Sequence, residues 1–348
     1  MKNTLFTLVF AFFCLIINGQ NCIKGKIEEL SQLKEKPLAV VLYEENKDLV
    51  KKLGKKIAKN NKKSEEYKKE LKEYRDFISY FNTTIKEVVP DYWTLNDTKN
   101  IKYITEGELT KDKLKNYAIL NLTSDVIITD LEFLTSQKNY VITYGASEKN
   151  RNKAVFQNYL TNVNYNIPGY ADKELKKSIE KLKQERQNGP KYLSKENLIV
   201  SLALAQKYIE KAIELNNKIS FEDFAGEEMK NNCSQLEGKT ILFQEAIVHG
   251  KIKNELQNLL PTAKIELVST DRIAQAVDNN EDILIGFPVT KKFVKQKGLG
   301  VMSVIPVTHK MIMNAKTKKI VAFVPHSGIT SYSYFKKKDF KKLSEPCK

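Results

Sequence analysis

Lys264–Phe287 reads KIELVSTDRIAQAVDNNEDILIGF, and its order is that of an α/β unit: strand over Lys264–Val268, short helix over Asp271–Val277, apolar strand over Asp282–Phe287. A second stretch repeats it. Ile101–Leu122, IKYITEGELTKDKLKNYAILNL, predicts a strand at Ile101–Ile104, a helix at Glu106–Lys115 and a strand at Tyr117–Leu122. Glu106 takes the place near the helix start that Asp271 holds in the other. Identity between the two is low, so the match is one of kind, and strand–helix–strand units recur through packing physics.

The same alternation of strands and helices continues beyond each unit. Leu38–Tyr43, after Pro37, is a short β-branched apolar run that predicts a buried strand. Val50, Leu53 and Ile57 then recur at helical spacing. Beyond Asn60 and Asn61 a second helix carries Tyr67, Leu71, Tyr74, Ile78, Phe81, Ile85 and Val88. That stripe serves either a coiled-coil partner or this protein's own sheet. Tyr140–Tyr144 closes the first half as a strand. In the second half, Thr240–Phe243, Val301–Val307 and Ile320–Val324 read as strands and Gly250–Leu260 as a helix. Between the halves, Leu175, Ile179 and Leu182 mark one amphipathic stripe, broken at Gly189 and Pro190. Leu198, Leu202, Ala205, Ile209 and Ile213 mark another, after an N-cap candidate at Ser194. These helices either stack on both sheets or form a hinge. The predicted fold is α/β: two related sheet-containing domains, three-layer or Rossmann-like, joined by a helical connector. Its expected boundaries are a signal peptide at 1–20, a first domain at 21–150, the connector at 151–235 and a second domain at 236–348.

The chain has 348 residues, 41% hydrophobic and 29% charged, with 14 Gly and 9 Pro, which excludes collagen-like, low-complexity and globally disordered classes. Lys2, an apolar run from Leu5 to Ile17 interrupted by Thr7, and the polar Asn18, Gly19 and Gln20 predict a secretory leader. Such a run rises only about 20 Å as a helix, short of the ~30 Å hydrocarbon core. No later stretch reaches the length of a span, so the expectation is a soluble protein exported to the periplasm or beyond. Cys14 leaves with that leader, and Cys22, Cys233 and Cys347 remain. Three thiols allow one intramolecular bridge, expected between Cys233 and Cys347, with Cys22–Cys347 as the rival. No pair has the CxxC spacing of a redox motif or a zinc ribbon. Sequons stand at Asn82, Asn96, Asn121 and Asn232.

Motifs with specific chemistry are few. GxSxG, GxGxxG and GxxxxGK[ST] are all missing, so hydrolase-elbow, dinucleotide and P-loop classes have no anchor, and no cofactor or metal is expected. The histidines are His249, His309 and His326. His326 follows the predicted strand Ile320–Val324, the position at which open α/β sheets place ligand-contacting residues. If it were catalytic, its acid would be Asp271 or Glu245. Glu245 and His249, four apart, form a weaker pair, since HExxH is absent. Trp93 is either a stacking platform for a sugar or base, or a core plug.

Formal net charge is +16, and fourteen lysines between Lys291 and Lys348 face only Asp339 and Glu345. Lys336, Lys337, Lys338, Lys341 and Lys342 form the centre of this segment, a binding face for acidic polymers or an anionic membrane surface. None of the four arginines lies there, which argues against a sequence-specific nucleic-acid reader. The expected function is therefore binding of a ligand or an envelope protein. A hydrolase using His326 and a structural assembly component are the alternatives.

Overall fold

The computed structural model describes residues 21–23, 25–59, 62–130, 135–145, 156–159, 194–297, 301–326 and 334–345. The fold is α/β, with one six-stranded and one five-stranded mixed sheet. In the first sheet β2 (Leu38–Leu42) runs parallel to β3 (Lys102–Thr105) and to β4 (Ala118–Asp130). β5 (Thr135–Tyr144) returns antiparallel to β4, β6 (Phe156–Tyr159) pairs with β5, and β1 (Asn21–Ile23) pairs with β6. In the second sheet β7 (Thr240–Gln244) is parallel to β8 (Lys264–Val268) and β9 (Leu284–Lys297). β10 (Val301–Asn314) and β11 (Ile320–Val324) then complete an antiparallel series. The orders β6-β5-β4-β2-β3 and β11-β10-β9-β7-β8 thus match, neighbour for neighbour and direction for direction.

The helices explain how the sheets meet. They are α1 (Ile27–Lys34), α2 (Lys47–Lys59), α3 (Ser64–Tyr92), α4 (Lys111–Asn116), α5 (Lys195–Glu214), α6 (Phe221–Asn232), α7 (Leu256–Leu259), α8 (Thr270–Asp278) and α9 (Lys337–Leu343). In α5 the run Leu198–Ala205 is apolar on every side except Ser201, and all ten residues from Glu196 to Ala205 are buried. A helical stretch without a polar face must be interior. One continuous hydrophobic cluster accordingly joins Leu38, Val40 and Leu120 of the first sheet, α5, and Leu242, Ile285 and Met311 of the second. The choice between stacking and hinge is settled: α5 stacks in the core. The segment 151–235, the expected helical connector, also contributes β6, whose Phe156–Tyr159 pairs with Val141–Tyr144 of β5. The Leu175–Leu182 stripe lies outside the described residues.

Each sheet also covers its far face. Ala39, Val41, Ile104 and Ile119 pack with Leu109, Leu114 and Tyr117. In the second sheet strand parity divides the residues: Ile285, Met311 and Met313 face α5, whereas Leu284 and Ile312 face Phe335, Phe340 and Leu343 around α9. Lys310, on that outer parity, is buried in an ion pair with Asp339 that pins α9 to β10. The aromatic helix stripe is used internally at its C-terminal end, where Phe81, Ile85 and Val88 are buried, while Tyr67 to Ile78 stay half-buried. Trp93 is a core plug: fully buried, it donates from Nε1 to Asn96 Oδ1 (3.1 Å) and meets Tyr144 edge-on.

Polar ties reinforce the junction of the halves. Lys195 Nζ lies 3.5 Å from Glu87 on α3 and 3.8 Å from Asp278 on α8. Lys207 on α5 donates to Thr317 O in the β10–β11 turn (2.8 Å). Lys318, held at a left-handed φ of 54°, donates to Val277 O (3.2 Å) and Asn280 Oδ1 (3.0 Å) and sits over the Tyr92 ring. It places a cation where α8 exposes carbonyls, a favourable end for positive charge. Burial nevertheless brings both ammonium groups, Lys207 and Lys318, down to about 8.

Two predictions follow from this packing. A Cβ on Gly286 would stand 2.2 Å from Phe243 Cδ1 and Cε1, and that ring is held by Phe335 and Phe340. Gly286→Ala should therefore destabilise the protein by about 1–3 kcal/mol in a urea melt; an unchanged midpoint contradicts the packing. For Lys318, folded pKa lies below the unfolded value of about 10.4, so the folded state binds fewer protons between pH 8 and 10 and gains stability as pH rises through that window. Melting temperature should climb more steeply from pH 8 to 10 in the unsubstituted protein than in Lys318→Met; equal slopes contradict it.

Candidate functional site

Parity within β10 places the imidazole of His309 on the inward face with Met311 and Met313, where a 2% exposed polar ring stands among apolar neighbours. Its ring stacks on Phe323 (5.6 Å between centroids, 19°) and meets Phe221 edge-on (5.8 Å). Register then brings in a second histidine. Lys310 pairs with Val324, so His326, two residues beyond that pair, lies beside His309, with ring centroids 5.3 Å apart and planes at 89°.

The third member comes from α6, which packs on β11. Ser220 caps this helix, its Oγ accepting from the Asp223 N–H at 3.0 Å, and the cap fixes the direction of the first turn. Glu222 in that turn points its carboxylate between the rings. Its Oε1 lies 3.5 Å from His309 Nε2 and 4.0 Å from His326 Nδ1. All three ligand-type atoms fall within 4.8 Å of one another. His326 Nδ1 is buried and makes no hydrogen bond among the described residues. The aromatic rings close the inner side, while His326 and Glu222 are half-buried.

The other sequence candidates are placed elsewhere. Glu245 is exposed in the turn after β7 and pairs with Lys253 (3.0 Å). Asp271 is exposed in the first turn of α8. Glu222 is thus the carboxylate that reaches His326, and Asp271 and Glu245 are not brought to it. His249 Nδ1 accepts the Lys251 N–H (3.3 Å) at the start of a 3₁₀ segment, so Glu245 and His249 form no joint site. Neither Glu222 nor the inward placement of His309 was read from the sequence. The expected strand ended at Val307, two residues short of His309, so its parity with Met311 and Met313 became visible only with the full length of β10, and nothing in the sequence ties Glu222 to that histidine.

The centre of the basic segment forms α9. In α9 Asp339, Phe340 and Leu343 are buried, whereas Lys337, Lys338, Lys341 and Lys342 occupy the opposite, exposed face. Lys337 pairs with Glu255 (2.7 Å) and Lys336 lies over Tyr334. Burial, reinforced by Lys310 and Lys338, lowers the Lys336 ammonium. Cys233 is held in a disulfide; Cys347 lies outside the described residues. Of the sequons, Asn96, Asn121 and Asn232 are buried, and Asn82 Nδ2 donates to Tyr43 O (3.0 Å), so these amides serve the fold. No helix among the described residues is long and apolar enough to cross a membrane.

Comparison with protein-family models, with curated proteins and with solved structures returns no match.

Proposed function

We propose that this chain is an exported ligand- or partner-binding protein of the cell envelope, built from two related α/β modules around a shared helix. The observation that carries the reading is the repeated strand order of the two sheets, each a parallel trio extended by an antiparallel series. A duplicated open sheet presents two sets of carboxyl strand ends, and ligands of such sheets bind just past those ends. Glu245 after β7 and His326 after β11 stand at such positions. The disulfide at Cys233 supports an oxidising compartment, in keeping with the apolar leader.

The lysine face of α9 serves as an ancillary contact for acidic polymers or an anionic membrane surface. Lys338, Lys341 and Lys342 are exposed there, and three neighbouring ammonium groups on one helix face attract polyanions in a salt-sensitive manner. A hydrolase using His326 is the second reading. The neighbouring Glu222 favours it, since a carboxylate beside an imidazole is the arrangement of acid–base catalysis.

Thermal-shift measurements with oligosaccharides, short peptides and acidic polymers distinguish the two. Binding without chemistry raises the melting temperature in a dose-dependent way, worth about 2.7 kcal/mol at 100 times the dissociation constant. The solute is then recovered unchanged by mass spectrometry. Conversion of the solute, abolished in His326→Ala, would overturn the binding reading in favour of the hydrolase.

A further inference from the structure

We propose that Glu222, His309 and His326 form a binding site for a divalent cation of the zinc class, a reading carried by this cluster alone and independent of the modules and their ligand. The donor set is two imidazoles and one carboxylate, which suits zinc and its borderline neighbours and not the oxygen-seeking magnesium or calcium. Zinc bonds of about 2.0–2.2 Å in a tetrahedron set ligand atoms ~3.3–3.5 Å apart. Here the carboxylate oxygen stands 3.5 Å from one ring nitrogen and 4.0 Å from the other.

Those separations decide between an ion and a direct contact. Charge-assisted hydrogen bonds close to about 2.7–2.9 Å, shorter than either separation here. The two separations from Glu222 lie within about half an ångström of the edges of such a coordination shell, and all three donor atoms fall within 4.8 Å of one another. The buried Nδ1 of His326, without a hydrogen bond among the described residues, gives a second, independent sign, because a buried polar atom needs a partner. The three donors arise from three elements: the inward parity of β10, the end of β11 and the capped first turn of α6. The strand β10 holds His309, and the half-buried Glu222 supplies the small adjustment needed to close on the ion. The three donors leave a fourth tetrahedral position for water or another exogenous ligand.

The three histidines of the chain make the test direct. Chelator-treated protein is titrated with zinc chloride while the imidazole carbon-bound proton signals are followed by NMR and heat is followed by calorimetry. The expected result is one equivalent bound, with two histidine signals shifting and the third, His249, unmoved. Cobalt(II) in place of zinc should give the intense visible bands of a tetrahedral ion. Glu222→Gln and His326→Ala should each weaken zinc binding at least about tenfold, whereas His249→Ala leaves it unchanged. Absence of a one-equivalent binding event, or a shift of the His249 signal with the others still, would overturn the proposal. So would binding that survives both substitutions. If a substitution unfolds the chain, the NMR titration of the unsubstituted protein decides by itself.

Discussion

The structure depends on one helical stretch, Leu198–Ala205, that has no side it can show to water. From Leu198 to Ala205 the chain is apolar almost without interruption, and a helical turn spreads those residues around the whole cylinder. Burying it requires cover from every direction. The first sheet with α1 and α3 supplies part of the cover, and the second sheet with α6 and α8 supplies the rest. Each fully buried Leu or Ile contributes roughly 1.5–3 kcal/mol. Polar contacts such as Lys195 with Glu87 and Asp278 are partly exposed and weigh little beside that. They fix orientation; the helix supplies the adhesion.

Strand–helix–strand order was readable where one short apolar run was bounded by polar turns. Leu38–Leu42, Lys264–Val268 and Ile320–Val324 fall where the residue pattern puts them. Strand length was not readable in the hairpins. β9 runs to Lys297 and β10 to Asn314, since Lys291, Lys292 and Lys295 interrupt the apolar pattern while the backbone ladder continues through them. Helix α6 escaped notice because Phe221, Phe224 and Ala225 give it a narrow apolar stripe between acidic residues. α5 was seen as a one-sided stripe of Leu198, Leu202, Ala205, Ile209 and Ile213. Its other sides, Ile199, Val200 and Leu204, carry the information that it is central.

The candidate site shows a similar division. His326 was legible from its place after a strand, as a consequence of sheet topology. Its companions depend on which strand lies beside which. β10 lies next to β11, and α6 crosses β11, so His309 and Glu222 reach His326 from positions that are remote in sequence. Asp271 and Glu245 were reasonable on topology, yet they follow β8 and β7, on the far side of β9 from β11. The lysines divide likewise by environment. Lys338, Lys341 and Lys342 are solvated, while Lys310 is buried against Asp339 and Lys318 caps a helix, so total charge overstates the charge available to a partner.

Hydrogen exchange of the amides in α5 under native conditions tests the shared core most directly. If that helix joins the two sheets into one cooperative unit, the amides from Leu198 to Ile209 exchange only through global unfolding, with the same free energy as the central strands β2 and β7. Exchange of this helix through a lower-energy opening, with either sheet still protected, would contradict the account.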